Sequence, residues 1–289
     1  MLGIATTRPL VVVSSATEMP CASCAGLLPE GALTAPEPRH LEEPRGRWVG
    51  QAGVLARPRT TGEVAAVVRA CAAARVGVVP ISGGTGLVGG QIMTGGPLPL
   101  LLSVERMAGL RGIWPEENAM VVEAGMVLAE VQAEAAKVGR LFPLSLASEG
   151  SCRIGGNLAT NAGGTAVLRY GNARDLCLGL EAVLPDGTVY GGLTRLRKDN
   201  SGYDLRDLLI GSEGTLGLIT GLTLRLHGQP EAVMTAVAAF PSVGAAVDCV
   251  MAVMQMGLTP ARIEFLDADT VAACNAYSHL SLPPAPQLL

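Results

Sequence analysis

Aromatic and charged residues are both scarce in this sequence of 289 residues. Phe, Trp and Tyr together make up 3% of the chain, and charged residues make up 16%. The net charge is −4 and no block of basic residues occurs, so nucleic acid and anionic membrane surfaces are poor partners. The shortage of aromatic rings also argues against a surface on which bases stack. The sequence therefore predicts a protein that does not bind nucleic acid.

Long apolar runs are also missing, and the cysteines follow no regular spacing. No run approaches the ~20 apolar residues of a transmembrane helix, and the apolar stretch after Arg8 is too short for a signal peptide. The seven cysteines are scattered and odd in number, which predicts a reducing compartment. We therefore expect a cytoplasmic protein without a transmembrane segment. The start of the chain contains no acidic residue before Glu18, which leaves a mitochondrial transit peptide as the alternative.

Candidate metal ligands and catalytic side chains are few. Cys21 and Cys24 form a C-x-x-C pair, but no second pair follows at zinc-ribbon spacing, so a loose N-terminal segment is favoured over a metal or redox role. The three histidines, His40, His227 and His279, lie in no recognisable motif, and we expect them at the surface or in loops. We predict no metal site and assign no catalytic residue.

Glycine, by contrast, is abundant and clustered. The first cluster, PISGGTGLVGG at 80–90, follows an apolar run at 76–79 that predicts a strand. A glycine loop after a strand can bring backbone N–H groups close to a phosphate. Residues 84–89 match the dinucleotide fingerprint GxGxxG, but the next residues contain further glycines and Pro97. These residues disfavour the helix that an NAD site requires, so a phosphate loop of another fold is favoured.

Two further segments carry motifs of the same kind. A second glycine cluster occupies 144–164, and a third segment occupies 198–220. Two anion-binding loops separated by a predicted helix and strands suit one long ligand with a pyrophosphate and a ring system. Cys152 lies inside the second cluster, but no neighbour in the sequence would lower its pKa, so we interpret it as a packing residue.

The order of these motifs resembles a known flavoprotein family. GGTGLVGG, FPLSLASEGS, IGGNLATNAGG, LRYGN, DNSGYDL and GSEGTLGLIT together resemble the FAD-binding domain of the vanillyl-alcohol oxidase / p-cresol methylhydroxylase family. Within it, the chain is most similar to the D-2-hydroxyacid dehydrogenases, which include the glycolate oxidase flavin subunit, D-lactate dehydrogenase and D-2-hydroxyglutarate dehydrogenase. The resemblance implies an α+β fold, with a two-subdomain FAD-binding domain of the p-cresol methylhydroxylase type followed by the start of a truncated α+β cap domain.

The resemblance also implies a division of the chain and a set of cofactor-binding residues. We expect an irregular segment over 1–44, the FAD-binding domain over 45–230, and the incomplete beginning of a substrate (cap) domain over 231–289. The pyrophosphate of FAD would be held by Ser82, Gly83, Gly84, Thr85, Gly86 and Leu87. The flavin and ribityl side would be lined by Gly150, Ser151, Gly155, Gly156 and Asn157, then by Thr160, Asn161 and Gly164, with Ile219 at the adenine end. One isolated glycine commonly marks a tight turn, but three clusters in family order favour a binding site.

The activity implied by the resemblance is FAD-dependent oxidation of a D-2-hydroxy acid to the 2-oxo acid, by hydride transfer to the flavin. The substrate would be of the lactate, glycolate or 2-hydroxyglutarate type, and the electrons would pass to a protein or a quinone. A homo-oligomer is compatible with this interpretation. In the family, the catalytic base and the cation that binds the substrate carboxylate lie in sequence beyond position 289. We therefore expect this chain to lack the C-terminal catalytic part, and the alternative is a non-catalytic FAD-binding chain.

Local signals predict several helices and turns. The sequence TTGE at 60–63 is typical of a capping box before a helix over 64–74. A second helix is predicted over 128–137, and the PDG sequence at 185–187 indicates a hairpin. Asn200 or Ser201 is expected to cap a further helix from 203, a structural role that we favour over contact with flavin.

Overall fold

The structure, a computed structural model, describes Cys24 and residues 26–288. In chain order its strands and helices are β1 (Leu33–Thr34), β2 (Val54–Ala56), α1 (Thr61–Ala74), β3 (Val78–Ile81), β4 (Leu100–Ser103), β5 (Leu110–Trp114), β6 (Ala119–Glu123), α2 (Leu128–Lys137), β7 (Arg140–Leu141), α3 (Ile154–Ala159), α4 (Val167–Tyr170), β8 (Cys177–Val183), β9 (Val189–Gly192), α5 (Leu205–Leu209), β10 (Leu218–Arg225), β11 (His227–Gly228), β12 (Ala238–Ala239), α6 (Val243–Gln255), β13 (Phe265–Leu266), α7 (Ala268–Ser278) and β14 (Gln287–Leu288).

The first sheet carries the first glycine loop. Its four strands lie in the order β1-β2-β4-β3, with β2, β4 and β3 parallel and β1 antiparallel at one edge. Helix α1 connects β2 to β3, and the Thr60 side chain accepts a hydrogen bond from the Glu63 N–H at 3.1 Å, as the capping signal predicts. The buried face of the helix packs on this sheet through Val64, Val67 and other small apolar residues. The predicted β-α-β unit is therefore confirmed, and it ends at the glycine loop.

The second sheet is antiparallel and has five strands in the order β5-β6-β10-β8-β9. The predicted hairpin joins β8 to β9, with Val183 opposite Val189 and Gly187 at a φ of 81°. The central strand β10 is buried along almost its whole length, including Leu222 and Leu224. Because β10 is packed on both faces, its position in the sheet is well defined, and so are the positions of the residues at its two ends.

Helices α2 and α3 pack on the second sheet. Leu128 and Val131 of α2 and Ile154 and Leu158 of α3 belong to the same apolar cluster as the strand residues. Cys152 precedes α3, is 1% exposed and belongs to this cluster, which confirms its interpretation as a packing residue. The helix over 128–137 has the predicted bounds.

Both ends of the described chain add smaller elements. From residue 26 onward the N-terminal part packs on the first sheet, since β1 pairs with β2 and Leu41 is buried in a cluster with strand residues. Cys24 is buried with its Sγ atom 3.9 Å from Cys71 Sγ, whereas Cys21 lies outside the described residues. At the other end, a three-stranded sheet in the order β12-β14-β13 accompanies α6 and α7. No described helix has the length and apolar character needed to cross a membrane.

Candidate functional site

The first glycine loop leaves β3 and reaches β4 without forming a helix. Gly84 and Gly89 adopt φ values of 68° and 73°, which glycine accepts without strain. Residues 91–99 contain no helix, so the structure that an NAD fingerprint requires is missing from this described stretch. The expectation that this motif is not a Rossmann site is confirmed, whereas phosphate binding by the loop stays a prediction.

The first and second glycine segments contact each other directly. An added Cβ at Gly83 would lie 2.8 Å from Cys152 Cα and from Ser151 O, and 2.9 Å from Arg153 N. All three neighbours are backbone atoms, so they have little room to yield. Only a residue without a side chain can bring these two segments so close together.

The second segment contains a short helix, α3, that the sequence did not predict. Gly155 and Gly156 lie inside it, where each glycine costs about 1 kcal/mol relative to alanine. The glycines allow α3 to pack closely against its neighbours. An added Cβ at Gly155 would lie 2.8 Å from Ala124 O, and one at Gly156 would lie 2.8 Å from both Cβ and Oγ of Ser82. Helix α3 therefore lies between the second sheet and the first glycine loop.

The third segment packs against both α3 and the first glycine loop. The Gly211 N–H donates to Leu158 O at 3.0 Å and the Glu213 N–H donates to Ala159 O at 2.8 Å, so residues 211–213 satisfy carbonyls at the end of α3. Gly214, at a φ of 79°, lies against the Pro80 ring just before the first loop. All three motif-bearing segments thus converge on one place.

At this place a cleft with a volume of about 130 Å³ lies between the two sheets. Its walls are formed by Pro80, Ile81, Ser82, Gly86, Val88, Gly90, Gln91, Val104, Gly155, Gly156, Ala159, Thr160, Glu213, Gly214, Gly217, Leu218 and Ile219. The first sheet contributes the glycine loop, the second sheet contributes the start of β10, and α3 forms the wall between them. The walls are mostly apolar.

Six of the residues predicted from the sequence line this cleft: Ser82, Gly86, Gly155, Gly156, Thr160 and Ile219. The other nine lie in the same segments without lining it: Gly83, Gly84, Thr85, Leu87, Gly150, Ser151, Asn157, Asn161 and Gly164. Among these, Gly83 and Gly164 are tightly packed against backbone atoms, whereas Gly150 is exposed with no atom of the described chain near an added Cβ.

Sequence reasoning missed several residues that line the cleft. Glu213, Gly214, Gly217 and Leu218 belong to the GSEGTLGLIT motif, from which only Ile219 was assigned. The motif itself was the signal, because its glycines mark a tight loop delivering β10 to the cleft. Val104, which follows β4, carried no signal because its apolar run predicts an ordinary buried strand.

Two buried polar atoms at this place are unsatisfied within the described chain. Ser82 Oγ and Asn157 Oδ1 are each shielded from solvent and have no hydrogen-bond partner. Thr160 Oγ1, in contrast, donates to Gly156 O at 3.0 Å. Because buried polar groups are normally hydrogen-bonded, an unsatisfied hydroxyl in the cleft wall suits a bound group with polar oxygens, such as a phosphate.

Among the described wall residues, only Glu213 has an ionisable side chain. An added Cβ at Gly90 would lie 2.8 Å from Glu213 Oε2, so the carboxylate lies over the end of the first loop. Within the described residues there is no group of three or more His, Cys, Asp and Glu side chains that could hold a metal ion. The cleft therefore offers groups that bind and orient a ligand more than groups that transfer protons.

Two local expectations from the sequence were wrong. Helix α5 is capped by Asp204, whose side chain accepts from the Asp207 N–H at 3.0 Å, and neither Asn200 nor Ser201 is its cap. The helix begins later than expected, so the first carboxylate before it takes the capping position.

The second correction concerns the histidines. His40 is 6% exposed, in a short 3₁₀-helix where its Nδ1 accepts from the Glu37 N–H at 3.0 Å, and burial lowers the pKa of its side chain. His227 lies in β11 and packs edge-on against Tyr170 at 4.9 Å between ring centroids, and its pKa is also lowered by burial. His279 is exposed as expected. His40 and His227 therefore serve packing.

The fold is of the α+β class, with a cleft between its two larger sheets. Comparison with protein families identifies it more closely. Residues 52–191 match the model of the FAD binding domain, and residues 229–289 match the model of the C-terminal domain of FAD linked oxidases. The chain belongs to the FAD-linked oxidase family, its cofactor is FAD, and its fold is the p-cresol methylhydroxylase type that the sequence motifs implied.

Curated relatives match most of this chain. The mitochondrial D-2-hydroxyglutarate dehydrogenase of Bos taurus is 40% identical over 282 residues, covering 95% of this chain and 50% of the relative. A probable mitochondrial D-lactate dehydrogenase of Danio rerio is 39% identical, covering 81% of this chain and 47% of the relative. The D-2-hydroxyglutarate dehydrogenase of Xanthomonas citri pv. viticola is 43% identical, covering 68% and 41%. The chain thus spans about half the length of these relatives or less.

Solved structures agree with the fold. An alkyldihydroxyacetonephosphate synthase superposes with a TM-score of 0.71 at 24% identity, covering 80% of this chain and 42% of that protein. At this level of identity the likeness supports the two-subdomain fold and carries no information on the substrate.

Proposed function

We propose that this chain is the FAD-binding part of a dehydrogenase that oxidises a D-2-hydroxy acid to the 2-oxo acid. The observation that carries the proposal is the cleft in which three glycine-bearing segments converge between the two sheets. The names of the relatives supply the substrate class: D-2-hydroxyglutarate and D-lactate. Residues 45–230 would form the FAD-binding domain, and residues 231–289 would belong to the substrate domain.

In this proposal the first glycine loop holds the pyrophosphate of FAD. The loop from Ser82 to Leu87 presents backbone N–H groups, and the unsatisfied Ser82 Oγ is a hydroxyl donor in the cleft wall. Gly86 keeps that wall free of side-chain atoms. Gly83 and Gly84 have a different task, since Gly83 fixes the loop against residues 151–153 and Gly84 provides a positive φ.

The two ends of the cofactor would lie along α3 and at the start of β10. Gly155, Gly156 and the hydroxyl of Thr160 would line the flavin and ribityl side, continued by Asn157, Asn161 and Gly164. Ile219, which is 7% exposed, would pack against the adenine. Gly150 and Ser151 would approach the flavin from the preceding turn.

Bound FAD supplies the two-electron acceptor, and the protein supplies binding, orientation and electrostatics. The apolar walls of the cleft exclude water from the ring system, which strengthens the electrostatic interactions inside. Reoxidation would require a further protein or a quinone. The scattered cysteines and the mitochondrial names of several relatives support a reducing compartment in the cell.

A second candidate is an FAD-binding chain without dehydrogenase activity of its own. Its support is that the described cleft wall contains Glu213 as its one titratable side chain. Oxidation of a hydroxy acid requires a base for the hydroxyl proton and a cation for the carboxylate. The described cleft wall contains no cationic side chain.

Anaerobic titration of the FAD-loaded chain distinguishes the two candidates. If the chain carries a complete dehydrogenase site, D-2-hydroxyglutarate or D-lactate will bleach the visible band of oxidised flavin, with the L enantiomers as matched controls. Equal bleaching by both enantiomers would contradict a D-specific dehydrogenase. Stable FAD binding with no bleaching by any of the four acids would favour the non-catalytic candidate.

A further inference from the structure

Outside the cleft, one carboxylate joins the two subdomains. Glu181, on β8, accepts three hydrogen bonds at the same oxygen, Oε1: from Thr61 Oγ1 at 2.6 Å, from Thr220 Oγ1 at 3.0 Å and from Arg111 Nη1 at 3.0 Å. Thr61 is the first residue of α1, which packs with the first sheet, whereas Thr220 and Arg111 belong to the second sheet. This oxygen atom is therefore one of the connections between the two halves of the fold, together with the hydrogen bond from Arg69 Nη1 to Gly187 O at 2.8 Å.

The contact with Thr220 lies at an irregularity of β10. Ala182 pairs with Ile219 and Glu181 pairs with Gly221, so Thr220 is an extra residue that the β8 strand does not match. Such a bulge bends a strand and redirects the adjacent side chains. Thr220 is fully buried, and its hydroxyl bonds to Glu181 hold the bulge in place.

The bulge is connected to the cleft by backbone hydrogen bonds. Thr220 O accepts from the Ala124 N–H at 3.0 Å, and Ala124 O accepts from the Gly155 N–H at 2.8 Å. Gly155 and Ile219 both line the cleft, whereas Glu181 does not. The Glu181 side chain can therefore influence the cleft wall without contact with a ligand.

The local sequence and charge fit this connection. An added Cβ at Gly221 would lie 2.9 Å from Arg111 Nη1 and 3.2 Å from Glu181 Oε1, so glycine leaves room for the pair. Burial raises the pKa of Glu181, but the hydrogen bonds from Thr61 and Thr220 and the charge of Arg111 outweigh it, and the pKa lies below its ordinary value. The group is therefore ionised at neutral pH, which strengthens its hydrogen bonds.

We propose that Glu181 is a positioning residue for FAD. It fastens the start of α1 to the bulge of β10, and by doing so it sets the separation of the two subdomains across the cleft. The proposal rests on FAD binding in the cleft between the sheets, as given under the proposed function. Loss of the connection would let α1, and the β3 loop that follows it, shift relative to Ile219 and Gly155.

A double-mutant cycle on the full chain tests this connection. We would measure the Kd of FAD by quenching of flavin fluorescence, at a temperature well below the Tm of every apo variant, for Thr61→Val, Glu181→Ala and the double variant. Glu181→Ala should raise the Kd roughly tenfold and Thr61→Val should raise it by no more than that, and the double variant should resemble Glu181→Ala because that substitution already removes the bond to Thr61. Thr220→Val should act in the same direction.

Glu123→Gln is the matched control. Glu123 also pairs with Arg111, at 3.5 Å, and lies on the same sheet, but its other recorded bond is to the Gly109 N–H and it has no bond to α1 or Thr220 among the described contacts. Its Kd for FAD should stay within about twofold of wild type. Glu181→Gln keeps the side-chain length and should lie between wild type and Glu181→Ala.

The outcomes separate positioning from simple stability. A lower apo Tm with an unchanged Kd for FAD would overturn the proposal, and so would additive effects of Thr61→Val and Glu181→Ala. If Glu181→Ala fails to fold, Thr61→Val and Glu181→Gln still decide the matter through their Kd values. Failure of the wild-type chain to bind FAD would instead overturn the proposed function itself.

Discussion

Gly83→Ala is the substitution whose effect follows most directly from the structure. The added methyl group would lie 2.8–2.9 Å from three backbone atoms of residues 151–153, whereas ordinary carbon contacts are about 3.5–4.0 Å. The two glycine segments must then separate by several tenths of an ångström. Overpacking of this kind costs ~1–3 kcal/mol, and the smaller unfolded-state entropy of alanine offsets ~0.4–1 kcal/mol of it.

Gly86→Ala, three residues along the same loop, is the matched control. Its added Cβ meets no atom of the described chain within 4 Å, so only the entropic gain applies and the apo Tm should stay equal or rise slightly. Differential scanning fluorimetry of the apo proteins should show Gly83→Ala melting roughly 2–8 °C lower, using the dependence of Tm on free energy for chains of this size. Its Kd for FAD should rise at least about tenfold. Because Gly86 itself lines the cleft, the comparison rests on stability, and equal apo Tm values for the two variants would refute the close approach of the two segments.

Three further predictions concern other features of the fold. Gly164→Ala places a Cβ against the Ser145 carbonyl oxygen, so thermal unfolding should show a loss of ~1–3 kcal/mol, and a wild-type Tm would contradict this packing. Burial raises the pKa of the Cys177 thiol to about 12, so mass spectrometry should find Cys177 unmodified after iodoacetamide treatment of the native chain at mildly alkaline pH, and rapid labelling would disprove its burial. Asp204→Ala should cost ~1 kcal/mol in urea unfolding because it removes the α5 cap, while Asn200→Ala should cost nothing measurable, and the reverse order would restore the expectation drawn from the sequence.

Local signals predicted those parts of the fold that local interactions determine. The cap of α1 needs only Thr60 and Glu63 within four residues, and the β8–β9 hairpin needs only its PDG turn. The sequence also indicated that the GxGxxG match is not an NAD site, because Pro97 and the preceding glycines disfavour the helix that such a site requires. Such features depend on neighbours in sequence, so one sequence is enough to identify them.

Helix α3 could not be predicted in this way, because its stability comes from the tertiary structure. Two glycines in six residues indicate a loop by propensity, yet Ile154 and Leu158 are fully buried and the Gly155 N–H donates to Ala124 O. The same holds for His40, which is buried by packing of the N-terminal segment on the first sheet. The family motifs identified the segments of the cleft, but not which of their residues form its wall.

Hydrogen exchange of the chain with and without FAD tests the central claim most directly, because it locates the cofactor on the backbone. We expect FAD to slow exchange in residues 82–90, in α3 and in residues 211–219, while the amides of β9 at the far edge of the second sheet stay unchanged. Riboflavin, which lacks the pyrophosphate and the adenosine, should leave exchange in 82–90 unaltered. Protection by FAD that spares all three segments would contradict the placement of the cofactor in the cleft between the two sheets.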